Sequence, residues 1–223
     1  MKTYHSQAYN RWFRAATQAA GTVMVIGILV TSVAKSSGSP LPLNTQLGTW
    51  NGLTAYSNGA SGRFSSKDPH NFISVFRNGK LSTIDTGYRW QCSEIAARNA
   101  NLFWSFDTGS PDAYLFWSRA VGQKLKRCSN GTGIELPKPN DIVCWQPAPG
   151  YSNSGHVAVV REVGSNYIRV MEQNRLCDQT DASHYIPMTV IKNRQNNITS
   201  VSLDPSAVNS KGGYITQGWI RRQ

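Results

Sequence analysis

The 223-residue sequence is short of acidic side chains: 12 Asp and Glu residues stand against 23 Lys and Arg, which leaves a formal net charge of +11. An excess of this size favours an anionic partner, such as nucleic acid, a membrane surface or an acidic cell-wall polymer. A long Lys/Arg block is also missing, since the densest basic stretch is Lys124-Leu125-Lys126-Arg127. This absence disfavours a nucleic-acid-binding tail, so we expect an anionic wall or membrane surface as partner, no nucleic acid, and a monomer.

Cysteine is scarce as well. The cysteines are Cys92, Cys128, Cys144 and Cys177, and no two of them form a C-x-x-C pair. A structural zinc site is therefore disfavoured, and we expect neither a metal ion nor any other cofactor. These residues are also too few for a disulfide scaffold. If Cys92 is a free nucleophile, at most one bridge can form within the chain, and its partners stay open.

Residues 1–34 contain no Asp or Glu. Three basic residues come first: Lys2, Arg11 and Arg14. An uncharged apolar run follows over 19–34, and Ser32-Val33-Ala34 places small residues at the −3 and −1 positions of a cleavage site. This layout predicts a secretory signal over residues 1–34, and hence a secreted or periplasmic protein. The alternative is an uncleaved anchor over residues 15–34, because the apolar run is only a little shorter than the roughly 20 residues that a membrane span needs.

Beyond this segment, residues 35–49 predict an irregular linker, and residues 50–223 are long enough for one domain. Helical periodicity predicts a helix over 92–105 and a second one that starts after the capping signal Ser110-Pro111-Asp112. The predicted strands come later, at 141–145, 155–163, 166–172 and 214–220. Because helices come first and antiparallel strands follow, we expect an α+β fold with N-terminal helices packed on an antiparallel β-sheet.

The stretch Gly87–Asn99 is the most informative part of the sequence. Asp85-Thr86-Gly87 is typical of a turn, and a helical pattern begins at Cys92. Cys92 is thus predicted in the first turn of a helix, where free backbone N–H groups and the helix dipole favour thiolate over thiol. Activated cysteine nucleophiles are often found in such a place. The alternative is a small buried hydrophobic residue, as most cysteines are.

His156 stands where a Gly- and Pro-rich loop enters an apolar strand, so its ring can face a cleft while the strand holds it. A hairpin with its turn at Gly164-Ser165 places Glu172 opposite His156, where the carboxylate can orient the imidazole and stabilise its charge. Asn174 points to the same face if the strand continues. Taken singly, each residue has a structural explanation. Together with Cys92 they provide a nucleophile, a base and an orienting carboxylate.

Four motifs occur in a recognisable order: Trp90–Glu94, Pro139–Trp145, Gly155–Val160 and Glu172-Gln173-Asn174. This order resembles the CHAP domain, the cysteine- and histidine-dependent amidohydrolase/peptidase family. It is especially similar to the amidase domain of glutathionylspermidine synthetase/amidases, where a Gly-Trp strand like Gly218-Trp219 also closes the domain. The resemblance covers roughly residues 50–222.

The resemblance implies a papain-like cysteine peptidase fold. It also implies Cys92 as nucleophile, His156 as base and Glu172 as the residue that orients the base. Asn174 would be a supporting polar residue, and Gln91 would join the Cys92 backbone N–H in holding the oxyanion.

The chain departs from the family pattern at two points. Asn140-Asp141 stands where Gly-Asp is usual, and Cys144 replaces a common aliphatic residue. The acidic calcium-binding run of some phage-type members is absent before Cys92, which agrees with the expectation of no metal.

Three functions are compatible with these residues. The leading hypothesis is a secreted cysteine amidase/endopeptidase that hydrolyses amide bonds in peptidoglycan peptides. The second is an amidase of small conjugates like glutathionylspermidine, and the third is a non-catalytic module that binds the cell wall. The fold cannot choose among them, because substrate preference depends on the loops around the cleft. The presence of all three candidate catalytic residues disfavours the third.

Overall fold

The computed structural model describes residues 41–59, 69–109, 111–121, 124–151, 154–174, 182–207 and 213–223. The predicted signal or anchor segment, Ser110 and Cys177 lie outside these ranges, so the expectations for them stay predictions. Residues Ser37–Gln223 form one compact unit. Within the described ranges, no helix is both long enough and apolar enough to cross a membrane.

Strands are the main secondary structure of the described chain. Their bounds are β1 Gln46–Trp50, β2 Leu53–Tyr56, β3 His70–Arg77, β4 Lys80–Tyr88, β5 Leu125–Ser129, β6 Ile142–Pro147, β7 His156–Val163, β8 Tyr167–Met171, β9 Ser183–Lys192, β10 Ile198–Leu203 and β11 Tyr214–Arg222. The helices are α1 Cys92–Phe103 and α2 Leu115–Arg119, with a short 3₁₀ turn at Pro205–Ala207. The fold is therefore mostly β with few helices.

A 7-stranded antiparallel sheet forms the centre, in the order β10-β9-β8-β7-β6-β11-β5. Its two edges approach each other, because Gly131 N donates to Val201 O at 2.8 Å and Gly133 forms a β-bridge with Val201. A sheet that curls until its edges meet encloses one face and leaves the other outside, as a barrel does.

The two faces of this sheet belong to different cores, because side chains alternate along each strand. On β6, Val143 and Trp145 join the cluster that the curled sheet encloses, whereas Ile142 and Cys144 point to the other side. That outer side packs against small residues of α1: Ala96, Ala97 and Ala100. Alanine lets a helix approach a sheet closely, so α1 is held firmly against the strands that carry His156.

The expectation that helices come first is wrong, since β1, β2, β3 and β4 precede α1. Strand β1 begins inside the predicted linker 35–49. Strand β4 continues through Asp85-Thr86-Gly87, where we predicted a turn. There the pairing with β3 is irregular, Gly87 has a φ of 110° and its N–H is bonded to Asp85 Oδ1 at 2.8 Å. Turn-forming residues here make a bulge inside a hairpin, which local composition cannot distinguish from a loop.

Strands β7 and β8 form the predicted antiparallel hairpin, but the predicted register is wrong. Val159 pairs with Met171 and Val160 with Val170, so β8 is displaced by two residues from the arrangement that places Glu172 opposite His156. The register shifts once more at Arg161, next to the turn. A shift of two keeps every side chain on its face, so Glu172 becomes a diagonal neighbour of His156 rather than its direct partner.

Candidate active site

Cys92 is the first residue of α1, as predicted. The residue before it, Gln91, is the N-cap with an extended backbone (φ −73°, ψ 158°), and its side chain makes no capping hydrogen bond. The N–H groups of the first helical turn have no intrahelical acceptor, and they give this helix end its positive potential. Cys92 is 8% exposed, so little of its surface is open to solvent.

His156 is the first residue of β7, and its ring bridges Cys92 and Glu172. Cys92 lies close enough to this ring for its charge to act on the imidazole. Nε2 of the ring lies 2.6 Å from Glu172 Oε2. Since Nε2 is occupied by the carboxylate, Nδ1 is the nitrogen left to face the sulfur. The three residues predicted from sequence therefore lie in one continuous line of contacts.

Charge is favoured on this histidine. Burial alone opposes a charged imidazole, but the negative charge of Cys92, the hydrogen bond to it and the contact with Glu172 outweigh burial and raise the pKa of His156. Glu172 shows the matching behaviour. Its complete burial favours the neutral acid, yet two nearby imidazoles, His184 and His156, lower the pKa of its carboxyl far below the usual range. These two shifts favour an imidazolium on His156 beside a carboxylate on Glu172.

His184 is a member of this cluster that sequence reasoning missed. Its Nδ1 lies 2.6 Å from Glu172 Oε1, so the carboxylate has one imidazole at each oxygen. Strand β9 brings His184 there by pairing it with Val170 of β8. No local motif marks this residue, and only the β8–β9 register could have revealed it.

Gln173 belongs to the motif Glu172-Gln173-Asn174, but the sequence assigns no role to it. The structure places it at the centre of a buried network. It is fully buried, and its Nε2 donates to Gln91 O at 3.2 Å and to Glu94 Oε2 at 2.9 Å. Arg98 Nε in turn donates to Glu94 Oε1 at 2.9 Å. Buried polar groups that are fully satisfied make a structure rigid. This network ties the start of α1 to the segment that carries Glu172.

The two oxyanion and support candidates contact each other. Asn174 was predicted on the face of the His156–Glu172 pair, but its side-chain Nδ2 donates to Gln91 Oε1. Gln91 therefore lies beside Cys92 as expected, with a polar partner that the sequence did not assign to it.

The other described cysteines have a different environment. Cys128 and Cys144 are free and buried in apolar clusters, and burial raises the pKa of both thiols. A thiol held neutral is a poor nucleophile. Neither is the nucleophile that the site provides.

We predict that iodoacetamide alkylates Cys92 first and inactivates the protein. The imidazolium of His156 supports a thiolate there, whereas burial keeps Cys128 and Cys144 neutral. Peptide mapping after partial alkylation, with residual activity measured in parallel, tests this order. Early labelling of Cys128 or Cys177 with full activity retained would contradict it.

We also predict that chelators leave activity unchanged. Among the described residues, no group of three or more His, Cys, Asp or Glu side chains is placed to hold a metal ion. Activity measured after dialysis against EDTA should equal that of the untreated protein. A loss that added calcium or zinc restores would reveal a metal requirement.

Comparisons with known proteins match the part of the chain that carries Cys92, His156 and Glu172. Residues 83–174 match the family model of the CHAP domain. The chain is 28% identical over 149 residues to the bifunctional glutathionylspermidine synthetase/amidase of Escherichia coli (strain K12), and equally to that of Shigella flexneri. The match covers 60% of this chain, which spans only 22% of each relative. Residues 83–174 are therefore similar to the CHAP domain family, and the family match and the relatives support a hydrolase that acts on amide bonds as the general kind of protein.

Proposed function

We propose that this protein is an exported cysteine amidase/endopeptidase that hydrolyses amide bonds in peptidoglycan peptides through Cys92, His156 and Glu172. The line of contacts from the helix-start sulfur through the buried imidazole to the buried carboxylate carries the proposal. A cysteine at the start of a helix that packs on an antiparallel sheet also fits the papain-like arrangement that the CHAP resemblance implies.

The first half of the reaction forms an acyl-enzyme. The Cys92 thiolate attacks the carbonyl carbon of the amide, and the carbonyl π electrons move to the oxygen. The resulting oxyanion accepts hydrogen bonds from the Cys92 backbone N–H and the Gln91 side chain. When the oxyanion collapses, the C–N bond breaks, and His156 gives its Nδ1 proton to the leaving amine. A thioester on Cys92 and a neutral imidazole remain.

The second half returns the enzyme to its starting state. Neutral His156 takes a proton from a water molecule, which attacks the thioester carbonyl. The C–S bond then breaks, so the carboxylic acid product leaves and the thiolate–imidazolium pair forms again. Throughout both steps Glu172 keeps Nε2 of the ring engaged, so that Nδ1 is the nitrogen that exchanges protons.

A cell-wall substrate is supported by the charge and by the N-terminal sequence. The net charge of +11 favours an acidic polymer over a neutral one, and the predicted signal would deliver the protein to the compartment that holds the wall. Binding to the wall or to an anionic membrane surface would be electrostatic, so it should weaken as salt is added. The charge is compatible with a non-catalytic wall-binding module, but the assembled triad contacts favour an enzyme.

A small conjugate is the second candidate substrate. Both relatives named above are described as glutathionylspermidine synthetase/amidases, and the match covers a fifth of their length. An amidase of glutathionylspermidine-like conjugates would use the same three residues and the same two half-reactions.

One experiment separates these functions. Purified full-length protein is incubated with peptidoglycan and, separately, with glutathionylspermidine, and new amines are identified by mass spectrometry. We expect new amino termini from peptidoglycan that the Cys92→Ala protein does not release. Release of spermidine alone would favour the small-conjugate amidase. Binding to the wall without any new amine would favour the binding module.

A further inference from the structure

Gln91 carries a hydrogen-bond donor that no described residue uses. Its side chain is nearly buried, with 9% of the residue exposed. Its Oε1 accepts a hydrogen bond from Asn174 Nδ2 at 2.5 Å, whereas its Nε2 is buried and finds no partner among the described residues. A buried N–H without a partner is costly, so its presence in a native site needs an explanation. A ligand atom that arrives with the substrate provides one.

The segment after Glu172 holds Gln91 at two points. Gln173 Nε2 donates to the backbone oxygen of Gln91, and Asn174 Nδ2 donates to its side-chain oxygen. Glu172 itself contacts His156. Three consecutive residues thus position the base, the start of α1 and the amide next to the nucleophile. Asn174 can do so because it adopts a left-handed backbone, with a φ of 55°, which asparagine tolerates better than most residues.

The direction of the Asn174 hydrogen bond decides which end of the Gln91 amide stays free. A primary amide has an acceptor end and a donor end of almost equal size, and a half-turn of the amide exchanges them. An NH₂ group at position 174 attracts the oxygen of Gln91. The donor end then remains available, which is the end that stabilises a negative oxygen.

We propose that Asn174 is a positioning residue that acts through Gln91: its hydrogen bond keeps Gln91 Nε2 free to donate to the oxyanion formed when Cys92 attacks an amide. The role rests on the proposed amide hydrolysis. It differs from support of His156, because the described partner of Asn174 is Gln91. Only the two side-chain amides make this interaction. A variant that reverses the direction of the hydrogen bond should therefore lower kcat more than a variant that removes it.

Two variants of Asn174 test this polarity in the full-length protein. Asn174→Gly removes the amide and accepts the left-handed backbone, so Gln91 turns freely and kcat should fall about 10-fold with KM unchanged. The carboxylate introduced by Asn174→Asp can only accept a hydrogen bond, so it binds Gln91 Nε2. Gln91 Oε1 then faces the oxyanion. The kcat of this variant should fall ~10²–10³-fold, the range for loss of one oxyanion donor. Asn196→Gly is the matched control, because Asn196 has a φ of 65° and lies exposed in the β9–β10 connection.

Two further measurements distinguish action through Gln91 from action on His156. Alkylation of Cys92 by iodoacetamide forms a C–S bond, releases iodide and creates no oxyanion, so Asn174→Gly should leave its rate and pH dependence unchanged. In a Gln91→Ala background, Asn174→Gly should cause no further loss of kcat. Slower alkylation, or an equal loss of kcat with and without Gln91, would overturn the proposal.

The test also separates failure of this role from failure of the proposed function. The side-chain amide protons of Gln91 can be followed by NMR in ¹⁵N-labelled protein without any substrate. We expect one Gln91 pair whose chemical shifts Asn174→Gly changes and Asn196→Gly does not, because only the first variant removes the hydrogen bond to Gln91 Oε1. If neither amide substrate is cleaved but this result is obtained, the hydrolase proposal fails and the Gln91–Asn174 arrangement stands. A Gln91 pair that Asn174→Gly leaves unchanged would refute the arrangement itself.

Discussion

Replacing Cys92 by alanine should abolish amide hydrolysis while the protein stays folded. The sulfur provides the only electron pair that attacks the substrate in the proposed reaction, and removal of a triad nucleophile can lower kcat by up to about 10⁶-fold. Cys92 sits at a helix start, where a smaller side chain leaves the backbone hydrogen bonds of α1 in place. The measurement is kcat on the cleaved substrate, with circular dichroism and thermal unfolding as checks of the fold.

Cys128→Ala is the matched control, since Cys128 is also buried but is enclosed by the curled sheet rather than placed at the site. This control variant should keep its activity and show a modest loss of stability. A folded Cys92→Ala protein that still hydrolyses the substrate would refute the role of Cys92 as nucleophile. It would also refute the reaction built on that role.

Changing Glu172 to glutamine should lower activity by ~10²–10³-fold. The loss is smaller than the ~10⁴-fold seen for an aspartate-to-amide change in a serine protease triad, because a cysteine thiolate forms more readily than an alkoxide. Glutamine keeps the shape and one hydrogen bond but removes the charge that Glu172 holds between two imidazoles. Steady-state kinetics across a range of pH measures the loss of activity and any accompanying shift of the pH profile.

The pH profile should change in a defined direction. The pKa of His156 is raised in the folded protein, so its imidazolium persists at neutral pH and is lost only as the pH rises through that raised value. The contact with Glu172 is one cause of the increase. Without this charge the pKa of His156 falls, and the alkaline limb of the rate profile should move to lower pH.

Glu162→Gln is the matched control for this pH shift. Glu162 lies on the same hairpin, but its partner is the exposed hydroxyl of Tyr167, which donates to it at 2.7 Å. This variant should leave both the rate and the pH profile as they are. If Glu172→Gln behaved the same way, the orienting role of Glu172 would be wrong, and another group would have to hold His156.

Local features of the sequence were sufficient to predict the individual parts of the site. A turn-rich approach and a helical period place Cys92 at the start of α1, because capping and periodicity act over a few residues. Alternating apolar runs around Gly164-Ser165 predict the β7–β8 hairpin. The final strand, near Tyr214, was predicted in the same way.

Features that depend on register were not predictable in the same way. The predicted hairpin register was wrong by two residues, and the contact between Glu172 and His156 survived only because an even shift preserves the faces of both strands. The bulge at Thr86 looks like a turn and hides the end of β4, but the Asn78-Gly79 turn after the apolar run Phe72–Phe76 was a local hairpin signal that sequence reasoning overlooked. Nothing near His184 indicates that β9 carries it to the far oxygen of Glu172.

The sequence by itself determined which groups are candidates for the reaction: a cysteine at a helix start, a histidine entering a strand and a carboxylate after the next strand, in an order that resembles CHAP domains. These are properties of neighbouring residues. Only the tertiary structure decided how the groups are supported. His184 and the Gln173–Glu94 pair come from segments far apart in the chain, and the free end of the Gln91 amide depends on a hydrogen bond from Asn174. Such contacts are made when a curled sheet and a helix pack together, and packing is not encoded in any one stretch of residues.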